Sequence, residues 1–318
     1  MSVASRPSTA TASAPRQGSL KRSRPRYGEG AIRFLLFLAA LVSVATTIGI
    51  VVALARPAIS FFREVGVVEF LTGTEWAPLF ANPSFGVLPL VSATLLITAI
   101  ALVVAMPLGL GAAIYLSEYA QPRTRKFVKP LLEVLAGIPT IVYGFFALSA
   151  ITPALEWLLP GSNKIDVFNA LSAGIAMGIM ILPTIASLSE DAMKAVPGAL
   201  REGAYALGSS KMQVAQRVVV PAALSGIVAA FVLGISRAIG ETMIVTVAAG
   251  LTPNFSLNPL EAMQTMTAFI AAAGMGDQPQ GTIGYKAIFA VGSLLFLITF
   301  VMNAVSIRLV RKYSQRYE

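Results

Sequence analysis

The stretch Phe34-Leu35-Leu36-Phe37-Leu38-Ala39-Ala40-Leu41-Val42-Ser43-Val44-Ala45-Thr46-Thr47-Ile48-Gly49-Ile50-Val51-Val52-Ala53-Leu54-Ala55 runs for 22 residues without a charged side chain. About 20 residues of helix cross a hydrocarbon core, and a backbone in lipid must satisfy its own polar groups. The stretch therefore reads as a helical membrane span. Five more apolar stretches follow, at Val87–Leu116, Leu131–Leu155, Phe168–Leu188, Ala222–Gly250 and Ala287–Val310. The second and fifth spans exceed what a crossing needs, which predicts tilt, kinks or extension past the bilayer. Pro107, Gly109 and Gly111 suit a kink in the second. Together the six predict an all-α integral membrane protein.

Composition agrees and excludes much else. Of 318 residues, 56% are hydrophobic and 12% charged, about half the charge of an ordinary soluble domain; the mean hydropathy is +0.74. Cysteine and histidine are both absent. That removes thiol nucleophiles, disulfides, cysteine-ligated haem or Fe–S clusters, His-dependent triads and the usual zinc sites, so no metal or cofactor is expected. The net charge of +9 clusters beside the apolar runs, the habit of a membrane protein rather than of a nucleic-acid binder.

Charge also sets orientation. With both termini in the cytoplasm, seven basic residues (Arg6, Arg16, Lys21, Arg22, Arg24, Arg26, Arg33) fall in the N-terminal tail. The next inside segments hold Arg123, Arg125, Lys126 and Lys129, then Lys194, Arg201, Lys211 and Arg217, and finally Arg308, Arg311, Lys312 and Arg316. Nineteen basic residues are thus inside, against Arg56, Arg63, Lys164 and Lys286 outside. The bias predicts N-in, C-in topology with an even number of spans. Residues 1–30, rich in Ser, Thr, Arg and Pro, read as a disordered basic cytoplasmic tail, and 31–318 as the membrane domain. A cleaved signal peptide would need an apolar region of about 7–15 residues, shorter than this first run. Outside, in the long loop Leu251–Lys286, Ala262–Met275 is apolar but too short to cross. It predicts an outer-surface or partly re-entrant helix, either a lid or a docking surface.

The inside segment Ser189–Pro221 carries the most specific signal. It contains Glu202-Gly203-Ala204-Tyr205-Ala206-Leu207-Gly208, then nine residues, then Val218, then Val220-Pro221. Ala204–Val214 predicts a short helix interrupted at Gly208, and Pro221 a stop where the next span begins. Gly203 and Gly208 also stand at phosphate-loop spacing, but Ser209-Ser210 follow where Lys-Ser/Thr is needed. If ATP drives this protein, another subunit hydrolyses it. The segment resembles the EAA motif of ABC importer permeases: Glu-Ala-Ala, three residues, Gly, nine residues, Ile-x-Leu-Pro. Gly203 replaces the first alanine and loosens the helix start, and valines replace the aliphatic pair. The resemblance implies a coupling helix seated in a groove of an ATP-binding subunit, with Glu202, Gly203, Ala204, Gly208 and Pro221 as its residues.

Two charges lie inside the fifth span, in Gly234-Ile235-Ser236-Arg237-Ala238-Ile239-Gly240-Glu241-Thr242. An intramembrane charge costs roughly 2.5–3.5 kcal/mol on insertion scales, so such groups face a partner or an aqueous cavity. Four residues apart in a continuous helix, Arg237 and Glu241 share one face, either as a mutual pair or on a transport path. A guanidinium fork suits an oxyanion. Beside it a carboxylate makes sense when the anion carries a proton, as hydrogen phosphate does and sulfate does not. Glu133 reads as an interfacial residue or a partner of Lys129. Gly174-x3-Gly178 reads as close helix packing.

With the coupling segment, two stretches resemble the permease subunits of phosphate-specific (Pst) ABC importers over most of the chain from about residue 30. They are Glu133-Val134-Leu135-Ala136-Gly137-Ile138-Pro139-Thr140-Ile141-Val142-Tyr143-Gly144-Phe145-Phe146 and Ile235-Ser236-Arg237-Ala238-Ile239-Gly240-Glu241-Thr242-Met243. The resemblance implies a six-helix subunit of the type I importer (MetI-like) fold in the bacterial inner membrane, itself performing no bond chemistry. It implies a homologous second permease subunit (PstA-like), two ATP-binding subunits (PstB-like) and an extracytoplasmic phosphate-binding protein (PstS-like). Phosphate and the lipid bilayer are its other partners; nucleic acid is not one. Arg237, Glu241 and Ser236, with Thr140 and Tyr143 beyond the Gly-Ile-Pro break, are the expected pathway residues. Alternatives are a permease for another oxyanion, or a proton-coupled secondary transporter, for which an inverted repeat would speak but none is evident.

Overall fold

A computed structural model describes residues 27–78, 80, 82–159, 165–276 and 279–313. The chain divides into two units, Met1–Val51 and Val52–Glu318. In the first, the described chain is a single helix, the start of α1 (Tyr27–Glu64). Its side chains from Phe34 to Val51 are exposed around the whole circumference, a surface that lipid accepts and water does not. Helix begins at Tyr27, so the tail boundary expected at residue 30 moves back; residues 1–26 of that tail lie outside the described residues.

In the second unit α1 continues through Pro57 to Glu64 and leads into α2 (Val67–Thr72). An antiparallel hairpin follows, β1 (Trp76–Ala77) paired with β2 (Ser84–Phe85). Phe61, Phe70, Trp76 and Phe85 meet edge to face, with Phe61 and Phe85 centroids 5.2 Å apart. The hairpin closes tightly because Gly73 and Gly86 lack side chains: a Cβ on Gly86 would stand 2.2 Å from the Gly73 carbonyl carbon.

Helix α3 (Leu88–Ile114) runs unbroken through Pro107 and widens into one π turn, Tyr115–Tyr119. Then comes α4 (Pro122–Ala136). Here the span expected at Leu131–Leu155 is corrected, because the helix ends at Gly137 and restarts beyond Pro139 as α5 (Thr140–Phe146). Proline disfavours helical geometry in the residue before it and is pre-set for a helix start after it. After a π turn, Ala147–Ile151, the chain continues as α6 (Thr152–Leu158). The crossing stretch is therefore Thr140–Leu158, 19 residues. Helix α4 is amphipathic in an inverted sense: Arg125 and Lys129 turn inward to ion pairs, while Phe127, Leu131 and Val134 are exposed.

Asn169 caps α7 (Ala170–Lys194), its Oδ1 accepting the Ser172 N–H at 2.7 Å. The coupling segment forms α8 (Gly198–Ala206), α9 (Lys211–Val214), a π turn at Ala215–Val219 and α10 (Val220–Ala222). Instead of one interrupted helix over Ala204–Val214 there are two, and α8 starts six residues earlier. Lys211–Ala222 meets α11 (Leu224–Ile239) at a bend of 71°. The expected span Ala222–Gly250 is likewise divided: α11 ends at Ile239 and α12 (Met243–Ala248) restarts after Gly240-Glu241-Thr242. Helix α13 (Met266–Met275) is packed inside, which goes against the surface placement expected for Ala262–Met275 and not against the partly re-entrant one. Met266, Thr267, Ala268, Phe269 and Ala273 are buried, and Phe269 closes the aromatic cluster at 4.9 Å from Trp76. Helix α14 (Ile283–Tyr313) completes the described chain.

The core lies between α3 and α7. Ala93, Ile97, Ala101 and Ala105 form one stripe of α3, four residues apart, against Met177, Met180, Ile181 and Ile185 of α7. The Gly174-x3-Gly178 spacing allows that approach, since a Cβ on Gly178 would lie 2.9 Å from the Ala101 carbonyl oxygen. Among the described residues five helices are long and apolar enough to cross a membrane, or six with the bent pair taken as one span.

Candidate translocation and coupling sites

The break between α11 and α12 organises the membrane-depth charges, and it overturns the expectation that Arg237 and Glu241 share one helix face. Gly240 ends α11, so Glu241 turns to the next helix: its Oε1 accepts the N–H groups of Met243 at 3.1 Å and Ile244 at 3.2 Å. The carboxylate thus satisfies otherwise orphan donors at the start of α12. The Glu241 carbonyl receives the Thr267 hydroxyl at 2.7 Å, tying the break to α13. Glu241 is only 9% exposed, whereas Arg237 is exposed. Arg237 Nη1 reaches Thr184 Oγ1 on α7 over a long 3.5 Å. Among the described residues no ion pair joins Arg237 to Glu241. Among the described residues Thr184 is the one hydrogen-bond partner of the guanidinium.

The other expected pathway residues divide. Ser236 hydrogen-bonds Asn303 Oδ1 of α14 at 2.9 Å and lines a cavity of about 860 Å³ among α7, α11 and α14. Tyr143 is buried and donates to the Leu135 carbonyl at 2.7 Å, bridging the Gly-Ile-Pro break. Thr140 sits half-buried at the first position of α5. Gly144 lets α5 lie against α12, where a Cβ would meet Val247 at 2.9 Å. The two broken helices therefore touch beside their breaks.

The coupling residues form a knob. Glu202 and Gly203 are exposed on α8, and Ala204 is half-buried. Gly208 adopts φ +81°, a conformation costly for any residue with a Cβ. It lets Ser209 N–H return to the Ala204 carbonyl at 3.1 Å, and Ser210 with Gln213 then forms a capping box that starts α9. Leu207 stands 89% exposed at the tip beside Tyr205, an apolar point on a polar segment. Pro221 lies in α10, and the chain bends just after it.

Sequence reading missed the charges behind this knob. Glu190 of α7 is fully buried yet ion-paired to Arg125 at 2.8 Å, to Lys129 at 3.2 Å and to Lys194. Lys129 also bonds Asp191 at 2.8 Å. That bond, and after it Glu190, holds the Lys129 pKa above its usual value against the opposing effect of burial. Glu133, expected either at the interface or paired with Lys129, is exposed, as the first alternative has it. Arg201 pairs with Glu118 at 3.1 Å. The available signal was Glu190 four residues before Lys194, directly after an apolar run.

Together these features are those of a membrane-embedded subunit: helices long and apolar enough to span, two broken helices in contact, an exposed guanidinium before one break, and an exposed knob turned at Gly208. Residues 105–318 match the family model described as binding-protein-dependent transport system inner membrane component. The chain belongs to that family, as a multi-pass permease subunit of an ABC importer. It is 34% identical over 287 residues to the probable ABC transporter permease protein YqgH of Bacillus subtilis, covering 89% of this chain and 90% of the relative. It is 32% identical to the phosphate transport system permease protein PstC of Mesorhizobium japonicum, covering 78% and 80%. For PstC 1 of Mycobacterium tuberculosis the identity is 31%, covering 94% and 96%. In fold it is similar to a bacterial alginate ABC transporter chain (TM-score 0.58, 17% identity, 91% and 98% covered) and to the MetNI methionine transporter (0.53, 18%, 72% and 95%).

Proposed function

We propose that this chain forms half of the transmembrane path of an ATP-driven inorganic phosphate importer. The observation that carries the reading is the exposed Arg237 near the end of the apolar helix α11, whose one hydrogen-bond partner among the described residues is Thr184 at 3.5 Å while Glu241 is engaged elsewhere. A guanidinium with spare donors suits a tetrahedral oxyanion. The similarity to PstC proteins over most of the chain supports phosphate as that anion. Glu241 holds the start of α12 with Oε1; its other oxygen is the acceptor proposed for the proton of hydrogen phosphate.

In this reading Glu202–Gly208 docks on an ATP-binding subunit, a homologous permease supplies the other half of the path, and a phosphate-binding protein docks outside. Both termini face the cytoplasm. ATP binding moves the knob and switches access from inside to outside. The test is phosphate uptake by wild type and Arg237→Gln, reconstituted with the full subunit set, with ATPase followed in parallel. Uptake falls by about a hundredfold or more, as for loss of a charged hydrogen-bonding pair, while assembly and ATPase survive. Normal uptake would make the charge structural. Glu241→Gln in the same assay should erode discrimination against sulfate; unchanged uptake and selectivity would discard the proton-reading role.

A further inference from the structure

We propose that Glu118 and Arg201 are positioning residues of the transport cycle, a latch that transmits movement of the α8–α9 knob to α3 and α7. The proposal rests on the reading of α8 as the coupling helix. Forward along the chain, the route from the knob into the bundle crosses a π turn and then the 71° bend before α11; backward, Ala195, Val196 and Pro197 join α8 to the end of α7. A bend absorbs motion as well as passing it on. The latch adds a route to α3, which the knob does not adjoin in the chain, and braces the α7–α8 link.

The last turn of α3 is widened, and Glu118 and Tyr119 lie side by side on it. The Glu118 side chain is 5% exposed. Its Oε1 accepts from Arg201 Nη2 at 3.1 Å, Arg201 Nε at 3.4 Å and Ser117 Oγ at 2.9 Å. The same guanidinium donates to the carbonyls of Met193 at 2.8 Å and Val196 at 2.7 Å, at the end of α7. Those carbonyls carry the negative end of the helix dipole, which favours a cation there. One side chain of α8 thus grips the ends of α3 and α7 together. Tyr119 serves α9 in the same way: its hydroxyl meets Met212 Sδ at 3.4 Å, and Lys211 Nζ sits 5.1 Å above its ring.

Beyond the latch, Gly109, Gly174 and Gly178 bring α3 and α7 into close contact, a seam that favours joint movement. Helix α7 carries Thr184, the residue that touches Arg237. A push on α8 therefore arrives at the pathway guanidinium without passing through the bend.

The experiment uses the complete reconstituted transporter with Glu118→Gln, Glu118→Asp, Tyr119→Phe and, as a knob reference, Leu207→Asp. Glu118→Gln should keep the ATP-binding subunits and hydrolyse ATP within about twofold of wild type, while phosphate imported per ATP falls about tenfold. Glu118→Asp should recover part of that ratio, and Tyr119→Phe should lose about twofold. An unchanged ratio overturns the latch. So does a parallel fall of uptake and hydrolysis, or failure to assemble, since either makes the pair a folding contact only. If Leu207→Asp leaves subunit binding, hydrolysis and uptake intact, the coupling assignment of α8 fails, whatever Glu118 does.

Discussion

The middle of α3 and its C-terminal end are held to the rest of the bundle by different physics. Along its middle, α3 meets α7 through alanines, Ile97 and the gaps left by Gly174 and Gly178, with no polar group needed. At its end charges join an apolar patch around Ala113, Met193 and Val196: Glu118 pairs with Arg201, and between α7 and α4 Glu190 pairs with Arg125 and Lys129, and within α7 with Lys194. A contact set by backbone approach has one good depth, and either side of it costs packing. Ion pairs reach from long side chains and tolerate rearrangement. The difference teaches where this subunit is rigid and where it can move.

Changes to the dry seam should do the most damage. Gly178→Leu forces a side chain against Ala101 and Val104 and should cost about 3 kcal/mol or more. The purified subunit set should lose its thermal transition or fail to assemble; a wild-type melting curve would show that α3 and α7 are not tightly registered. Next comes the charged end. Glu190→Gln leaves three cations without their shared carboxylate, and because they are partly solvated the loss should be about 2 kcal/mol. Melting temperature should drop, and high salt should narrow the gap between variant and wild type.

A smaller effect is expected at the knob. Gly208→Ala imposes a left-handed conformation on a residue with a Cβ, costing about 1 kcal/mol locally. It should weaken retention of the ATP-binding subunits more than it lowers the melting temperature, and the reverse order would count against a docking role. The smallest effect is with pH. The Lys129 pKa is raised in the folded protein, so its contribution is fully present below the unfolded lysine value, about 10.4. It fades only as pH rises through the raised value. Lys129→Met should remove that alkaline part of the stability profile and leave neutral pH dependence unchanged.

Much of this architecture is legible in the residues themselves. Long uncharged runs announce spans because the cost of polar groups in hydrocarbon is set locally, residue by residue. Gly208 announces a turn for the same reason. The two broken spans are less legible. Gly137-Ile138-Pro139 carries a visible proline, yet apolar residues on both sides make Leu131–Leu155 look continuous. Gly240-Glu241-Thr242 has no proline, and a helix of unbroken period places Arg237 and Glu241 on one face. What separates them is the packing of α12 against α5 and the Thr267 hydroxyl on the Glu241 carbonyl.

The amino-acid sequence alone determined membrane embedding, the number of apolar runs and the position of the knob, because hydropathy, run length and backbone freedom are properties of neighbouring residues. Tertiary structure alone decided which charge meets which. Arg201 finds Glu118 across 83 residues, and Arg237 finds Thr184 across 53. No local pattern encodes such a partner: it is chosen by the depth at which α3 and α7 pack, and only then does a low-dielectric site make that choice costly to change.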